Sequence, residues 1–264
     1  MANKVLILTA SYGEGHNAAA RNLRDALELL APEVEVQVMD VLQQSYPRWN
    51  ALAQKTYLSL VRYAPVLWRG LYTLLDRSRW TRAHYPHLRT LQQVLRSLLA
   101  EHQPACVIST FPLYAHAIAG LYPEPRTRPF RLITVVTDSI SINSAWVGAA
   151  NDWWVVPNTA TGQVLAAAGV PATRIQPLGF PVSPQFADPV EEEIGAPEPG
   201  LPRRVLYLIN NGKKKSGKTI DRLLRLPDLH LTIAVGRDGM LREKLARSEE
   251  RRVGKACRSR WWTY

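Results

Sequence analysis

The chain has 264 residues, of which 46% are hydrophobic and 21% charged, with a formal net charge of +11. That much apolar material supports a core and excludes wholesale disorder. No run reaches the roughly 18 apolar residues of a membrane-spanning helix. Met1–Ala10 is too short an apolar run for a signal peptide. Cys106 and Cys257 are the only cysteines, which excludes a disulfide framework or a cysteine-based zinc site. A reducing, cytosolic compartment fits this usage, and the basic balance attracts phosphate, nucleic acid or an anionic membrane.

In chain order, Val5-Leu-Ile-Leu8 reads as a buried strand. Ala19, Leu23, Ala26, Leu27 and Leu30 share one helical face, and Pro32 ends that helix. Val34, Val36 and Val38 alternate with polar residues and predict a half-buried strand closed by Asp40. Strand, loop, helix and strand in that order are the unit of a parallel α/β sheet. Residues 45–102 predict two or three helices, with breaks near Pro65 and Pro86. They mix Trp49, Tyr57, Trp68, Tyr72 and Trp80 with Arg48, Arg62, Arg69, Arg77 and Arg82. Such a mixture suits an anionic membrane interface or a helical layer packed on the sheet. No nucleic-acid motif accompanies it, and no nucleic-acid partner is expected.

Sheet rhythm returns with strands at Cys106–Ser109, Leu132–Val136 and Trp153–Val156 and helices near Leu113–Leu121 and Thr159–Ala168. The proline-bearing stretch 187–203, with Glu191-Glu-Glu193, reads as a linker. A second strand–helix–strand follows at Val205–Ile209, Lys218–Leu226 and Leu229–Val235. The boundaries are then an N-terminal Rossmann-like domain over 1–186, a linker over 187–203 and the start of a second domain over 204–246. Residues 247–264 begin Arg247-Ser-Glu-Glu and are similar to a translated sequencing adapter. They are expected to be an assembly scar without regular structure. That tail holds +4 of the net charge.

Gly13-Glu-Gly15-His16-Asn17-Ala18 joins the first strand to the first helix. Glycines allow a sharp turn and close approach of a ligand, and the helix start offers N–H groups to an anion. The helix dipole lowers the pKa of His16 and fits it to take a proton. Gly13, Gly15 and Asp40 also fit a dinucleotide fingerprint, so a dinucleotide-dependent oxidoreductase stays open. Gly212-Lys-Lys-Lys-Ser-Gly217-Lys218-Thr219 matches the P-loop pattern literally, so an NTPase also stays open. A non-catalytic membrane-binding protein is the third rival. Thr137-Asp138 ends a buried strand, where ligand contacts are expected.

Taken together, these segments resemble the monogalactosyl-diacylglycerol synthase and processive diacylglycerol glucosyltransferase group of glycosyltransferase family 28. The anchors are Val5–Asn17, Thr134–Asp138 with Trp146 downstream, and Gly179-Phe-Pro-Val182. The resemblance implies a GT-B fold with an N-terminal acceptor domain and a C-terminal nucleotide-sugar domain. It implies transfer of a hexose from UDP-glucose or UDP-galactose to diacylglycerol, with inversion, without a catalytic metal or other cofactor. His16 and Asp138 are the implied catalytic residues, with His16 as base. Gly13, Gly15, Asn17 and Trp146 would serve the acceptor and phosphate, and Gly212, Lys213 and Ser216 the donor. A peripheral place on the inner, cytoplasmic membrane face is implied. Relatives carry more glycine than the lysine-rich 210–217 loop. The later donor-gripping segments are absent, so these 264 residues alone are expected to be inactive.

Overall fold

The computed structural model describes residues 4–12, 14–47, 88–140, 142–187, 202–209, 213–235 and 260–262, with scattered single positions between them. The chain divides into two compact units, Met1–Pro189 and Val190–Tyr264.

The first unit is built on β1 (Lys4–Leu8), β2 (Glu35–Met39), β3 (Cys106–Ser109), β4 (Arg131–Val135), β5 (Trp153–Val156) and β6 (Ile175–Pro177). Its helices are α1 (Glu14–Leu30), α2 (Val41–Ser45), α3 (Arg89–His102), α4 (Pro112–Leu121) and α5 (Thr159–Ala167). All strand pairs are parallel, in the order β2-β1-β3-β4-β5-β6. The α/β architecture expected from the sequence is present.

Alternation along β1 explains the layering. Leu6 and Leu8 face one core with Val107, Leu132, Tyr114 and Ile118, closed by Leu91 and Leu95 of α3. Ile7 faces the other, with Ile108, Val135, Ala20, Leu23 and Leu27 under α1. Both faces of the sheet are covered, so its strands are continuous apolar runs rather than alternating ones. Leu30, expected on the packed face of α1, is instead 81% exposed, and Leu27 is the last residue of that face to reach the core. Strand β6 had no sequence signal: it has three residues, one of them proline, and among the described residues it pairs with β5 alone at the sheet edge.

The α5 end shows how local chemistry stops a helix. Gly169, at φ +99°, donates its N–H to Ala166, and Val170 donates to Leu165. This pair satisfies two orphan carbonyls, and glycine takes the left-handed turn without a Cβ clash. Ile140 does the reverse. It is β-branched yet sits at φ +61°, held by its N–H to Thr161 Oγ1 at 3.0 Å. Its side chain is exposed, so little packing offsets the strain. Ile140→Gly is expected to raise the unfolding free energy by about 1 kcal/mol by removing that strain. A urea midpoint that falls instead would contradict this.

The second unit has β7 (Arg203–Leu208), α6 (Lys213–Leu223), β8 (Leu229–Ala234) and β9 (Arg260–Trp262), the strands all parallel in that order. Its core is Ile209, Ile220, Leu229, Leu231, Ile233 and Val235. Two expectations are corrected here. The helix starts at Lys213, not Lys218, so Lys213 to Thr219 form helical turns and not a phosphate-wrapping loop. Residues 260–262, inside the stretch expected to lack structure, pair with Thr232–Ala234 of β8.

Candidate active site

Winding of the first sheet reverses between β1 and β3, since β2 lies on one side of β1 and every later strand on the other. In open parallel sheets, ligands bind outside the carboxyl ends of the strands at such a reversal. The residues that follow β1, β3 and β4 meet there.

His16, in the first turn of α1, lies across this point. Its Nδ1 is 2.7 Å from the Thr110 carbonyl after β3 and 2.9 Å from Thr137 Oγ1 after β4. A carbonyl only accepts, so Nδ1 carries the proton and is shared between the two oxygens. The neutral ring then has its lone pair on Nε2. Thr110 also fixes the local backbone, its hydroxyl reaching the carbonyls of Leu8 and His16. Phe111 packs edge-on to the imidazole at 5.0 Å and stacks on Tyr12 at 5.6 Å. Trp146 lies 6.2 Å from the His16 ring. Burial among these groups lowers the His16 pKa, while the Thr110 bond and the Asp138 charge oppose the shift.

Asp138 does not hydrogen-bond His16 in this geometry. Its Oδ2 accepts the Trp146 indole N–H at 2.7 Å, and it acts on His16 through its charge. Trp146 is 3% exposed and packs with Val136 and Trp154. It therefore positions Asp138 and is not available as the ligand-contacting residue the sequence predicts. The turn Ser144–Trp146 is pinned twice more. His116 Nε2 donates to the Ala145 carbonyl at 2.8 Å, and Trp154 Nε1 donates to Trp146 at 3.0 Å.

The glycine loop is braced by polar side chains. Thr9 Oγ1 donates to Asn17 Oδ1 at 2.9 Å, and Asn17 Nδ2 to Ser11 Oγ at 3.3 Å. Asn17 thus holds the loop in place. Gly15 lies inside the first turn of α1, with open space where a Cβ would stand. Asp40 is fully engaged: Oδ2 accepts from Ser11 N–H and Oγ, and Oδ1 from Gln43 N–H at the start of α2. A dinucleotide ribose would have to displace those bonds. Gly13 and Gly212 lie outside the described residues, as do Arg48, Trp49, Tyr57, Trp68 and the other aromatic–arginine positions named up to Arg82. In the second unit, Ser216 is 2% exposed on the face of α6 that also buries Ile220. It faces the unit's own core, contrary to a role in gripping a donor.

The model of the monogalactosyldiacylglycerol (MGDG) synthase family matches residues 16–182, from His16 to the Gly179-Phe-Pro-Val182 turn. The chain belongs to the MGDG synthase family. It is similar to the processive diacylglycerol beta-glucosyltransferase of Bacillus cytotoxicus, 26% identical over 255 residues, covering 94% of this chain and 64% of the relative. The Bacillus subtilis (strain 168) protein of the same name is 26% identical over 258 residues, with 93% and 64% covered. The chain thus spans 64% of the length of these relatives. Among solved structures, it is similar to the lipopolysaccharide outer core galactosyltransferase WaaB in its apo form, at 15% identity and TM-score 0.47 over 99% of this chain and 68% of the other. Anabaena Alr3699/HepE in complex with UDP-glucose aligns at 14% identity and TM-score 0.49, over 99% and 69%.

Within this family member, Thr110 and Phe111 are His16 contacts that sequence inspection passed over, while Thr137, read with Asp138 as a ligand position, holds the His16 ring. Each follows a strand at its carboxyl end, and that position was the available signal. Two histidines, His116 buried and His16 half-buried, also give a pH dependence. Burial lowers the pKa of both His16 and His116 below the usual 6.5. The unfolded chain therefore takes up these protons at higher pH than the folded one. Stability is complete above the unfolded value and is lost as pH falls toward the folded values. Thermal midpoints measured between about pH 7.5 and pH 5 are expected to fall, and His116→Gln to flatten the slope. Parallel slopes for the two proteins would contradict this.

Proposed function

We propose that the protein carrying this sequence is a GT-B glycosyltransferase that moves a hexose from a UDP-sugar to the free hydroxyl of diacylglycerol. The observation that carries this reading is His16: Nδ1 is tied to Thr110 and Thr137, which leaves Nε2 as the proton acceptor. Lowered basicity keeps the ring neutral near pH 7, as a general base requires. Tyr12 and Phe111 give an apolar wall beside it, suited to an acceptor whose body is hydrocarbon and whose reacting group is one hydroxyl.

In the transfer, the acceptor oxygen attacks the anomeric carbon while Nε2 takes its proton. The anomeric carbon–oxygen bond to UDP breaks, and the electron pair leaves on the diphosphate. Attack opposite the leaving group inverts the anomeric centre. Asp138 stabilises the imidazolium that forms, and the free N–H groups at the start of α1 favour the anionic leaving group. No resident cofactor or metal enters these steps. Work at the inner membrane face, through the aromatic–arginine segment, belongs to the same proposal, as does inactivity of the 264 residues alone. Among the described residues, no helix is long and apolar enough to cross a membrane.

Binding of the acceptor is testable on this chain. Titration with a short-chain diacylglycerol is expected to shift the His16 ring resonances, and the matching lipid without a free hydroxyl to leave them in place. A His16 ring unmoved by both would overturn the acceptor assignment.

A further inference from the structure

The amino edge of the first sheet, the end away from His16, holds a second concentration of charge. Arg131 opens β4, Asp152 immediately precedes β5 and Arg174 immediately precedes β6. Parallel strands bring these positions to one edge. Together with Arg126 and Arg128 they line a cavity of about 510 Å³, within the range of about 300–1,000 Å³ of small-molecule sites.

Four guanidinium groups and one carboxylate line it, and that carboxylate is already engaged by two of them. Asp152 Oδ2 accepts from Leu132 N–H at 2.8 Å and from Arg128 Nη2 at 3.1 Å. Its Oδ1 accepts from Arg131 Nη1 at 3.4 Å. Arg128 Nη1 donates to the Ala150 carbonyl at 2.6 Å, and Arg174 Nη1 to the Asn151 carbonyl at 3.1 Å. The Arg128 side chain is only 3% exposed, and its buried Nε has no hydrogen-bond partner. Burial lowers the Arg128 pKa, Asp152 opposes this, and the charges of Arg174 and Arg131 lower it further. Crowded like charges destabilise a fold unless an anion joins them. Guanidinium groups present paired N–H donors that match phosphate oxygens.

We propose that this cavity binds a phosphate-bearing anion at a site separate from the transfer centre, with Arg131 and Arg174 as the gripping residues and Arg128 as their fixed floor. A free phosphate compound and a lipid phosphate headgroup share this chemistry.

The test uses the full chain and the double variant Arg131→Gln with Arg174→Gln, which leaves the buried Arg128–Asp152 pair intact. Calorimetry with inorganic phosphate and with pyrophosphate at low salt is one arm. Pelleting with phosphatidylcholine vesicles, with and without phosphatidylglycerol, is the other. In the double variant, affinity for the anion is expected to fall at least tenfold, with an unchanged circular dichroism spectrum. His16→Ala is expected to bind as the parent does. Arginine-dependent binding of soluble phosphate alone identifies a free anion. Arginine-dependent pelleting with phosphatidylglycerol identifies the headgroup. Binding that the double variant keeps in both arms, or no binding by the parent in either, overturns the proposal.

Discussion

In a chimera that joins residues 1–186 to the C-terminal part of the Bacillus subtilis relative, His16→Ala is expected to lower hexose transfer by about 10²–10⁴-fold, the range of a lost general base. In the proposed mechanism the imidazole accepts the proton on Nε2, since Thr110 and Thr137 occupy Nδ1. Removing the ring also removes the link between α1 and the ends of β3 and β4, so loss of activity alone would not separate chemistry from structure. His16→Gln separates them, since its amide N–H still reaches toward Thr110 while offering no basic nitrogen. It is expected to fold as the parent does and to transfer no faster than His16→Ala. The acid limb of the pH–rate profile should lie below the ordinary histidine value of 6.5, because burial disfavours the imidazolium. An acid limb above that value would contradict the buried, neutral base.

Trp146→Ala is expected to destabilise the first unit by about 3–5 kcal/mol, the cost of emptying a large buried aromatic site. The indole fills the space between Val136 and Trp154. Its N–H also holds Asp138 at 2.7 Å, so the carboxylate loses its anchor in the same step. Trp146→Phe keeps an aromatic ring and removes the donor. A hydrogen bond to a charged group contributes about 1.5–3 kcal/mol, so this variant should fold yet transfer poorly. Chemical denaturation of both variants, and their transfer rates in the same chimera, check the two halves. Full activity in Trp146→Phe would show that Asp138 needs no positioning.

The sequence signalled these features unevenly. The β1 loop with its histidine and the strand β4 that leads to Asp138 were legible because short apolar runs ending in small residues mark buried parallel strands. The partner of His16 was not. Thr110 lies 94 residues away in sequence, and only the order of strands in the sheet brings it alongside. Trp146 was legible as an anchor but not in its role, since burial depends on Val136 and Trp154 packing on either side. The literal P-loop pattern at Gly212–Thr219 misled for a physical reason. Lysine and serine tolerate a helix well, so Lys213 onward coils into α6 and turns Ser216 inward. Leu30 was assigned to the core by periodicity alone, which cannot tell where the sheet beneath a helix ends.

The central claim is that His16 is the base for sugar transfer to a lipid hydroxyl. Its most direct test is a chimera in which residues 1–186 replace the matching N-terminal part of the Bacillus subtilis relative. Supplied with UDP-glucose and diacylglycerol, a folded chimera should make glucosyl-diacylglycerol, and its His16→Ala form should lose at least about 99% of that rate. A folded, UDP-binding chimera that makes none, or a His16→Ala form that works undiminished, would contradict it.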